Sequence, residues 1–172
     1  MNRLALDARW ELLQELIKSS ALPDQPQTLF AAMDKAFQQI CGHKLFTLMI
    51  LHHDTGEAER VYTSNADAYP VSGRKHMVDT PWFKQVIVGK QHYLGSTDAD
   101  IRWAFADHEL IKKLGCSSII NLLVVYNDRV LGTVNLLHEA HYYRQQDIPD
   151  GLPFAQLLAT PYSVLSAFNQ RR

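Results

Sequence analysis

The sequence is poor in the features that mark specialised proteins. It has two cysteines, Cys41 and Cys116, too few for a disulfide framework or for a zinc site of their own. No apolar run approaches the roughly 20 residues that span a bilayer. With 17 basic and 18 acidic residues the net charge is −1, so no strong field attracts nucleic acid or an anionic membrane. We therefore expect neither a membrane nor a nucleic acid among the partners.

The start of the chain also lacks the apolar segment of a signal peptide, because acidic residues interrupt its amphipathic pattern. We expect a cytoplasmic protein whose thiols stay reduced. With 172 residues, 47% of them hydrophobic and 20% charged, the composition is that of an ordinary globular protein. This predicts a single domain over residues 1–172, with a core at about 27–168 and an N-terminal helix at about 5–19.

Two β-rich runs within residues 117–138 dominate the pattern. The first, Ser118-Ile-Ile-Asn-Leu-Leu-Val, is apolar almost throughout, as expected for a central strand that is covered on both faces. The second, Arg129-Val-Leu-Gly-Thr-Val-Asn-Leu, follows Asn127 and Asp128, which tolerate the positive φ of a tight turn. The pattern predicts a β-hairpin at the centre of a sheet.

Helices and a second hairpin are predicted around these strands. Apolar residues at helical spacing, Leu6, Trp10, Leu13 and Ile17, indicate the N-terminal helix. Further signals predict a helix that ends before Gly42 and a hairpin with its turn at Asp54-Thr55-Gly56. A middle section (residues 65–115) is expected to contain short helices capped by Thr80 and Asp107. A last helix is predicted at about 152–168, kinked at Pro161. Antiparallel hairpins with segregated helices describe an α+β domain.

The central hairpin and the order of the elements around it resemble those of the GAF domain, a sensory relative of the PAS fold. The similarity rests on Ser118-Ile-Ile-Asn-Leu-Leu-Val and on Arg129-Val-Leu-Gly-Thr-Val-Asn-Leu, and it covers roughly residues 27–168. The chain departs from the family pattern at Leu123, where a proline is usual, and at Asp128, where a glycine is usual. Without the proline, Leu123 can donate its backbone N–H to a neighbouring strand.

The resemblance implies an antiparallel sheet of five or six strands, with the terminal helices on one face and the short helices over the other. It also implies a small-molecule pocket under the middle section and a homodimer through the terminal helices. GAF domains bind cyclic nucleotides, bilins, haem or other metabolites, or nothing, so the cofactor and the ligand stay unknown. We expect a stand-alone regulatory module that signals through its dimer or a protein partner. The alternatives are a methionine-sulfoxide-reductase-like enzyme and a dimerisation module without a ligand.

A polar and aromatic segment at residues 60–75 supplies the first candidate ligand-binding residues: Tyr62, Ser64, Tyr69 and Arg74. Strand alternation predicts that Arg60, Tyr62 and Ser64 share one face, and a guanidinium at Arg74 suits a bidentate carboxylate. The alternative is an exposed edge strand followed by a solvated loop.

Three aromatic residues of the middle section, Trp82, Trp103 and Phe105, are candidates for the walls of an apolar pocket. The alternative is that they only cover the sheet.

Asn121 interrupts an apolar strand, and a buried amide needs partners. It either points at a ligand or pairs with neighbouring backbone. For Asn135, on the partner strand, we favour a structural role.

Cys116 is the last candidate. It is either a redox thiol of the sulfoxide-reductase type or a buried inert one, and Cys41 is expected on the opposite face of the sheet, where it cannot act as the resolving thiol. The histidines suggest no metal site, because His52 and His138 end strands that are expected to run antiparallel as neighbours. Their pairs then lie at opposite ends of the sheet.

Overall fold

The structure, a computed structural model, describes residues 4–71 and 73–168, except for the side chain of Phe168. The predicted domain limits, 1–172, extend beyond these residues at both ends. The elements are, in chain order, α1 Leu6–Ser20, α2 Gln27–Ile40, β1 Leu45–His52, β2 Glu57–Thr63, β3 Lys75–His76, α3 Pro81–Phe83, β4 Tyr93–Gly95, α4 Asp98–Ala104, α5 His108–Lys113, β5 Ser118–Tyr126, β6 Arg129–His138, α6 Asp147–Ala155 and α7 Ala159–Phe168. Among the described residues, no helix is both long and apolar enough to cross a bilayer.

The described strands form one six-stranded sheet in the order β3-β2-β1-β6-β5-β4. All neighbours are antiparallel. The β5–β6 hairpin pairs from Ser118 opposite His138 to Tyr126 opposite Arg129, and β6 then pairs with β1. The predicted α+β class and the antiparallel sheet, with residues 117–138 at its centre, are confirmed.

The terminal helices cover one face of this sheet, which we call the helical face. Phe46, Leu48 and Ile50 of β1 pack there in one buried cluster with Phe30 and Phe37 of α2. Each such side chain stabilises the fold by roughly 1.5–3 kcal/mol on full burial. The helices therefore lie where the sequence places them, on one side of the sheet.

Helix α1 turns a different set of residues to the core from the one that its sequence pattern suggests. Leu12 and Leu16 are buried, and Arg9 forms a salt bridge of 3.0 Å with the buried Asp150 of α6. Three residues of the predicted stripe point outward instead, with Leu6 81%, Trp10 59% and Ile17 52% exposed, while Leu13 is half-buried against the core. The sequence left open whether this stripe packs on the protein's own sheet, and in the structure these three residues do not.

The last helical segment begins earlier than predicted, and a 3₁₀ turn divides it ahead of Pro161. It starts at Asp147 rather than near residue 152, because Pro149 fits a first helical turn, where no N–H is needed. A 3₁₀ turn, Gln156–Leu158, then separates α6 from α7. Pro161 lies in the first turn of α7 and has no N–H to donate to the carbonyl of Leu157.

The middle section covers the opposite face of the sheet, which we call the pocket face. Helix α3 is capped as predicted, since the Thr80 hydroxyl accepts the Phe83 N–H at 3.1 Å, and it continues into a π-helical turn, Lys84–Val88. At α5, Asp107 occupies the N-cap position as predicted, and its backbone carbonyl accepts the Ile111 N–H at 3.1 Å. Its side chain makes no capping bond and instead accepts a hydrogen bond from the Tyr69 hydroxyl.

The central hairpin has the backbone that its sequence requires. Asn127 and Asp128 have φ values of 48° and 58°, which suit a tight turn between twisted strands. A Cβ on Gly132 would overlap the Met49 carbonyl oxygen and the Tyr162 ring. This glycine is therefore needed for the close approach of β6 to its neighbours.

The outer edge of β5 is closed by side chains beyond its short pairing with β4. The Leu123 N–H, which a proline would lack, donates to Nδ1 of His92 at 3.1 Å rather than to a strand. Gln156 accepts the Val125 N–H at 3.2 Å and donates to the Leu123 carbonyl at 2.9 Å. These side chains satisfy an edge that would otherwise be open to another strand.

Candidate functional site

A cavity of about 320 Å³ lies between the pocket face of the sheet and the middle section. Its floor is the sheet, where Met49, Leu51 and Leu137 supply apolar surface and Thr47 and Asn135 supply polar groups. These residues recur at every second position because side chains of a strand alternate between its faces. The cavity volume is at the small end of the range for small-molecule sites, about 300–1,000 Å³.

The walls of the cavity come from the middle section. The rings of Trp82 and Phe105 pack at 5.6 Å between centroids, tilted by 54°, and both line the space. Phe83 and Ile87 continue the apolar wall along α3 and the π-helical turn. The sequence left open whether Trp82 and Phe105 line a pocket or only cover the sheet; in the structure both line the cavity, and their role in binding stays a prediction.

A chain of side-chain hydrogen bonds links this wall to the floor. The Trp82 indole N–H donates to Asn121 Oδ1 at 3.0 Å, Asn121 Nδ2 donates to Asn135 Oδ1 at 2.7 Å, and Asn135 Nδ2 donates to Thr47 Oγ1 at 3.1 Å. Since an indole can only donate, it fixes the orientation of both amides. We call Trp82, Asn121, Asn135 and Thr47 the polar relay.

Asn121 is thus paired with neighbouring side chains and buried behind Trp82, with 1% of its surface exposed. The sequence analysis allowed a ligand contact or backbone partners, and the structure instead shows side-chain partners, Trp82 and Asn135. Asn135 and Thr47 line the cavity directly, although the sequence suggested only a structural role for Asn135 and did not identify Thr47. The available signal was a single hydroxyl within the apolar strand Leu45–His52.

An arginine forms the charged part of the wall. The Arg60 guanidinium lies 3.8 Å from the centroid of the Tyr69 ring and donates to the Pro70 carbonyl at 2.7 Å. The Tyr69 hydroxyl donates to Asp107, and the pKa of Tyr69 is raised, chiefly by burial and then by this bond. Arg60, Tyr69 and Asp107 all line the cavity.

The prediction that Arg60, Tyr62 and Ser64 share one face is wrong. The pairing of β2 with β1 shifts between Leu48 and Met49, so that Leu48 is opposite Tyr62 while Met49 is opposite Arg60. The extra residue, Val61, is a β-bulge, which reverses the alternation. Arg60 therefore lies on the pocket face and Tyr62 on the helical face.

Tyr62 and Ser64 consequently lie away from the cavity. The Tyr62 hydroxyl donates to Asp34 of α2 at 2.8 Å, and its pKa is raised, chiefly by burial and then by that bond. The Ser64 hydroxyl accepts the Phe46 N–H at 2.9 Å and so closes the end of the β1–β2 ladder. Both residues hold the sheet and its helices together.

Arg74 does not line the cavity either. Its guanidinium lies 3.7 Å from Glu57 and 3.4 Å from Glu59, and Glu59 also contacts His52 at 2.7 Å. A guanidinium shared between two carboxylates is not free to grip a third. Its neighbour Lys75 does line the cavity and is exposed at its mouth.

Trp103 and Cys116 are separated from the cavity as well. Trp103 is 43% exposed and stacks on Tyr93, with 5.5 Å between the ring centroids. Cys116 is buried, and burial raises the pKa of its thiol to about 11. Cys41 belongs to the cluster on the helical face and Cys116 to the one on the pocket face, so the predicted separation of the two thiols is confirmed.

The histidines lie as the strand order predicted. β1 and β6 are antiparallel neighbours, with Leu45 opposite Leu137 and Ile50 opposite Gly132. His52 and His138 are therefore at opposite ends of the sheet. Within residues 4–71 and 73–168, no three His, Cys, Asp or Glu side chains form a group that could hold a metal ion.

Comparison with known proteins identifies the fold. No protein-family model and no curated protein sequence matches this chain. Among solved structures, the GAF domain of a phosphoenolpyruvate-protein phosphotransferase from Coxiella burnetii is 14% identical, with a TM-score of 0.73 over 96% of this chain and 96% of that one. The GAF domain of a two-component sensor histidine kinase from Bacillus halodurans is 9% identical, with a TM-score of 0.68 over 84% of this chain and 98% of that one.

An enzyme is also among the similar structures. The free methionine-R-sulfoxide reductase from Neisseria meningitidis, in complex with its substrate, is 12% identical, with a TM-score of 0.66 over 95% of each chain. At such identities the similarity concerns the fold alone. The chain has the GAF fold, as the resemblance of residues 117–138 suggested.

Proposed function

We propose that this chain is a regulatory module that binds a small molecule in the cavity under the middle section. The observation that carries the proposal is the cavity itself, an apolar space with a few polar groups aimed into it from a rigid sheet. This combination is typical of small-molecule sites. The sheet fixes Thr47 and Asn135, while the short helices above them form a cover that is joined to the floor through Trp82.

Such an arrangement suits a sensor because the cover can respond to what lies beneath it. A ligand that contacts both the floor and Trp82 binds one position of the cover better than another, and this differential affinity is what shifts a conformational equilibrium. The π-helical turn Lys84–Val88 follows Trp82 directly. Turns of this kind are local irregularities that occur often at functional sites.

We propose a homodimer through the terminal helices as the output, with a protein partner as the alternative. Leu6, Trp10 and Ile17 form an exposed apolar stripe along α1. Contiguous apolar surface of this kind marks interaction sites in proteins of this size. The opposite side of α1 is held to α6 by the Arg9–Asp150 salt bridge, which connects the stripe to the helices on the sheet.

The thiols of Cys41 and Cys116 do not support the hypothesis of a sulfoxide-reductase-like enzyme. A reductase of this type needs a nucleophilic thiolate and a resolving thiol within reach of each other. Burial raises the pKa of Cys116 to about 11 and that of Cys41 to about 12, and the two lie on opposite faces of the sheet.

A thermal-shift screen of metabolites tests ligand binding in this cavity. A compound at about 100 times its Kd stabilises the folded state by about 2.7 kcal/mol, which for this chain length raises Tm by about 5–10 °C. In the variant Ala58→Phe, a larger side chain on β2 enters the cavity, so we expect the shift to disappear. Ala66→Phe, at an exposed position outside the cavity, is the matched control and should keep it.

Two results would contradict the proposal. One is a broad screen in which no compound raises Tm. The other is a shift that survives Ala58→Phe unchanged, since the compound would then bind elsewhere.

A further inference from the structure

The wall of the cavity contains a positive charge without a counter-ion. Arg60 donates one hydrogen bond, to the Pro70 carbonyl, and lies over the Tyr69 ring. None of the described carboxylates forms a salt bridge with it. A partly buried guanidinium with one neutral acceptor leaves most of its five N–H donors for other partners. A ligand that brings an opposite charge to this partly exposed guanidinium would gain charge-assisted hydrogen bonds from it.

The surroundings of Arg60 keep this guanidinium in place rather than neutralise it. Tyr69 offers a ring face, an electrostatically favourable neighbour for a cation, and is itself buried and held by Asp107. Asp107 is the carboxylate in the lining, and one of its oxygens already accepts the Tyr69 hydroxyl. Lys75 adds a second positive charge at the mouth. The site is therefore positive on balance.

The rest of the cavity surface is apolar and favours a flat, apolar part of a ligand. The floor is aliphatic at Met49, Leu51 and Leu137, and the wall opposite carries the Trp82 and Phe105 rings. Aromatic rings favour offset or edge-to-face contact with another ring. At about 320 Å³ the cavity takes a single ring with a short side chain and leaves room for further groups.

We propose that the ligand class of this cavity is a small aromatic monocarboxylate whose carboxylate pairs with Arg60 and whose ring lies between the aliphatic floor and Trp82. The inference rests on the proposed function and adds to it the charge and shape of the ligand. A guanidinium presents its N–H groups as a planar fork that matches the two oxygens of a carboxylate. The ligand then supplies the counter-charge that the folded protein lacks at this position.

The test uses phenylacetate and its neutral analogue phenylacetamide as probes, with calorimetry on the whole chain. We expect phenylacetate to bind at least about tenfold more tightly than the amide, as charge-assisted pairing predicts. In Arg60→Gln this preference should vanish, and in Arg60→Lys, which keeps the charge but loses the fork, it should shrink. Arg129→Gln, at the exposed hairpin turn, is the matched control and should keep the full preference.

The ratio of the two affinities is compared within each variant, so a modest loss of stability in Arg60→Gln does not obscure the result. Equal binding of acid and amide by the wild type, or an acid preference that persists in Arg60→Gln, would overturn the inference. If both probes fail while other compounds bind and are blocked by Ala58→Phe, the ligand class is wrong and the proposed function stands. If nothing binds at all, both are wrong.

Discussion

At the scale of single residues, Asn121 shows how a polar side chain inside an apolar strand acquires a role. It accepts from the Trp82 indole and donates to Asn135, so it connects the cover of the cavity to its floor. Neither bond is local in sequence. A buried amide in this position favours one arrangement of the cover, because any other arrangement would leave its polar atoms unpaired.

The polar relay can be tested by a double-mutant cycle. Asn121→Leu leaves the Trp82 N–H and Asn135 Oδ1 without partners, which we expect to lower the free energy of unfolding by roughly 2–4 kcal/mol. Trp82→Phe removes the donor, so the double variant should be about 1 kcal/mol more stable than the sum of the single losses implies. Urea unfolding of the four proteins measures this coupling. Strictly additive losses would show that the hydrogen bond contributes no coupling energy.

At the scale of elements, two irregularities of the sheet decide where side chains point. The bulge at Val61 sends Arg60 to the pocket face and Tyr62 to the helical face. At the opposite side of the sheet, β4 is short, and His92 and Gln156 close the edge of β5 in place of a longer strand. Both features arise from the pairing between strands rather than from the composition of any one of them.

His92, which closes the edge of β5, should make the free energy of unfolding depend on pH. Nδ1 of His92 accepts the Leu123 N–H, so it carries no proton, and burial lowers the pKa of His92 below its ordinary value of 6.5. Between the lowered and the ordinary pKa the unfolded chain binds more protons than the folded one, so stability rises with pH. The contribution is complete above about pH 7 and is lost as the pH falls through 6.5 toward the lowered value.

Two substitutions at this position separate titration from hydrogen bonding. His92→Gln keeps an acceptor without a titrating group, so the difference in unfolding free energy between wild type and this variant should change between pH 7.5 and 5.5, in the direction of a weaker wild type at low pH. His92→Phe should be less stable than His92→Gln at every pH, because the Leu123 N–H loses its partner. A pH-independent difference between wild type and His92→Gln would refute the assignment.

At the scale of the whole molecule, the sheet separates two environments. The helical face holds the larger core together with α1, α2, α6 and α7, and the pocket face holds the cavity and its cover. The sheet itself joins the two, since Thr47 and Asn135 on the pocket face are carried by strands that also pack against α2 and α7. A change under the cover can thus reach the exposed stripe of α1 only through rigid, packed elements.

The stripe on α1 predicts self-association. Leu6, Trp10 and Ile17 are each more than half exposed, and their burial between two copies would be favourable. Light scattering should give twice the 19.6 kDa mass of the chain. Trp10→Glu places a charge in this contact and should return the protein to the monomer mass. Val88→Glu, which replaces another exposed apolar residue far from α1, should leave the mass of the dimer unchanged.

A monomer mass for the wild type at concentrations up to the millimolar range would rule out the dimer. The same mass in Trp10→Glu as in wild type would place the contact elsewhere on the molecule.

The sequence by itself determined the class of fold, the central hairpin and most of the helices. These depend on local causes: the apolar run of 118–125, the positive φ of Asn127 and Asp128 and the cap at Thr80. For Trp82 and Phe105 the sequence offered the cavity wall as one of two alternatives. Each of these signals lies within a few neighbouring residues.

Only the tertiary structure decided which polar residues meet in the cavity. A one-residue bulge places Arg60 rather than Tyr62 on the pocket face, and Glu57 and Glu59 pair with Arg74. The Asp107 side chain accepts a hydrogen bond from Tyr69 instead of capping α5. The side-chain period of a strand is two residues, so a single inserted residue reverses every assignment beyond it. Partners from distant parts of the chain cannot be identified from spacing. The cavity is therefore a property of the packed sheet and its cover.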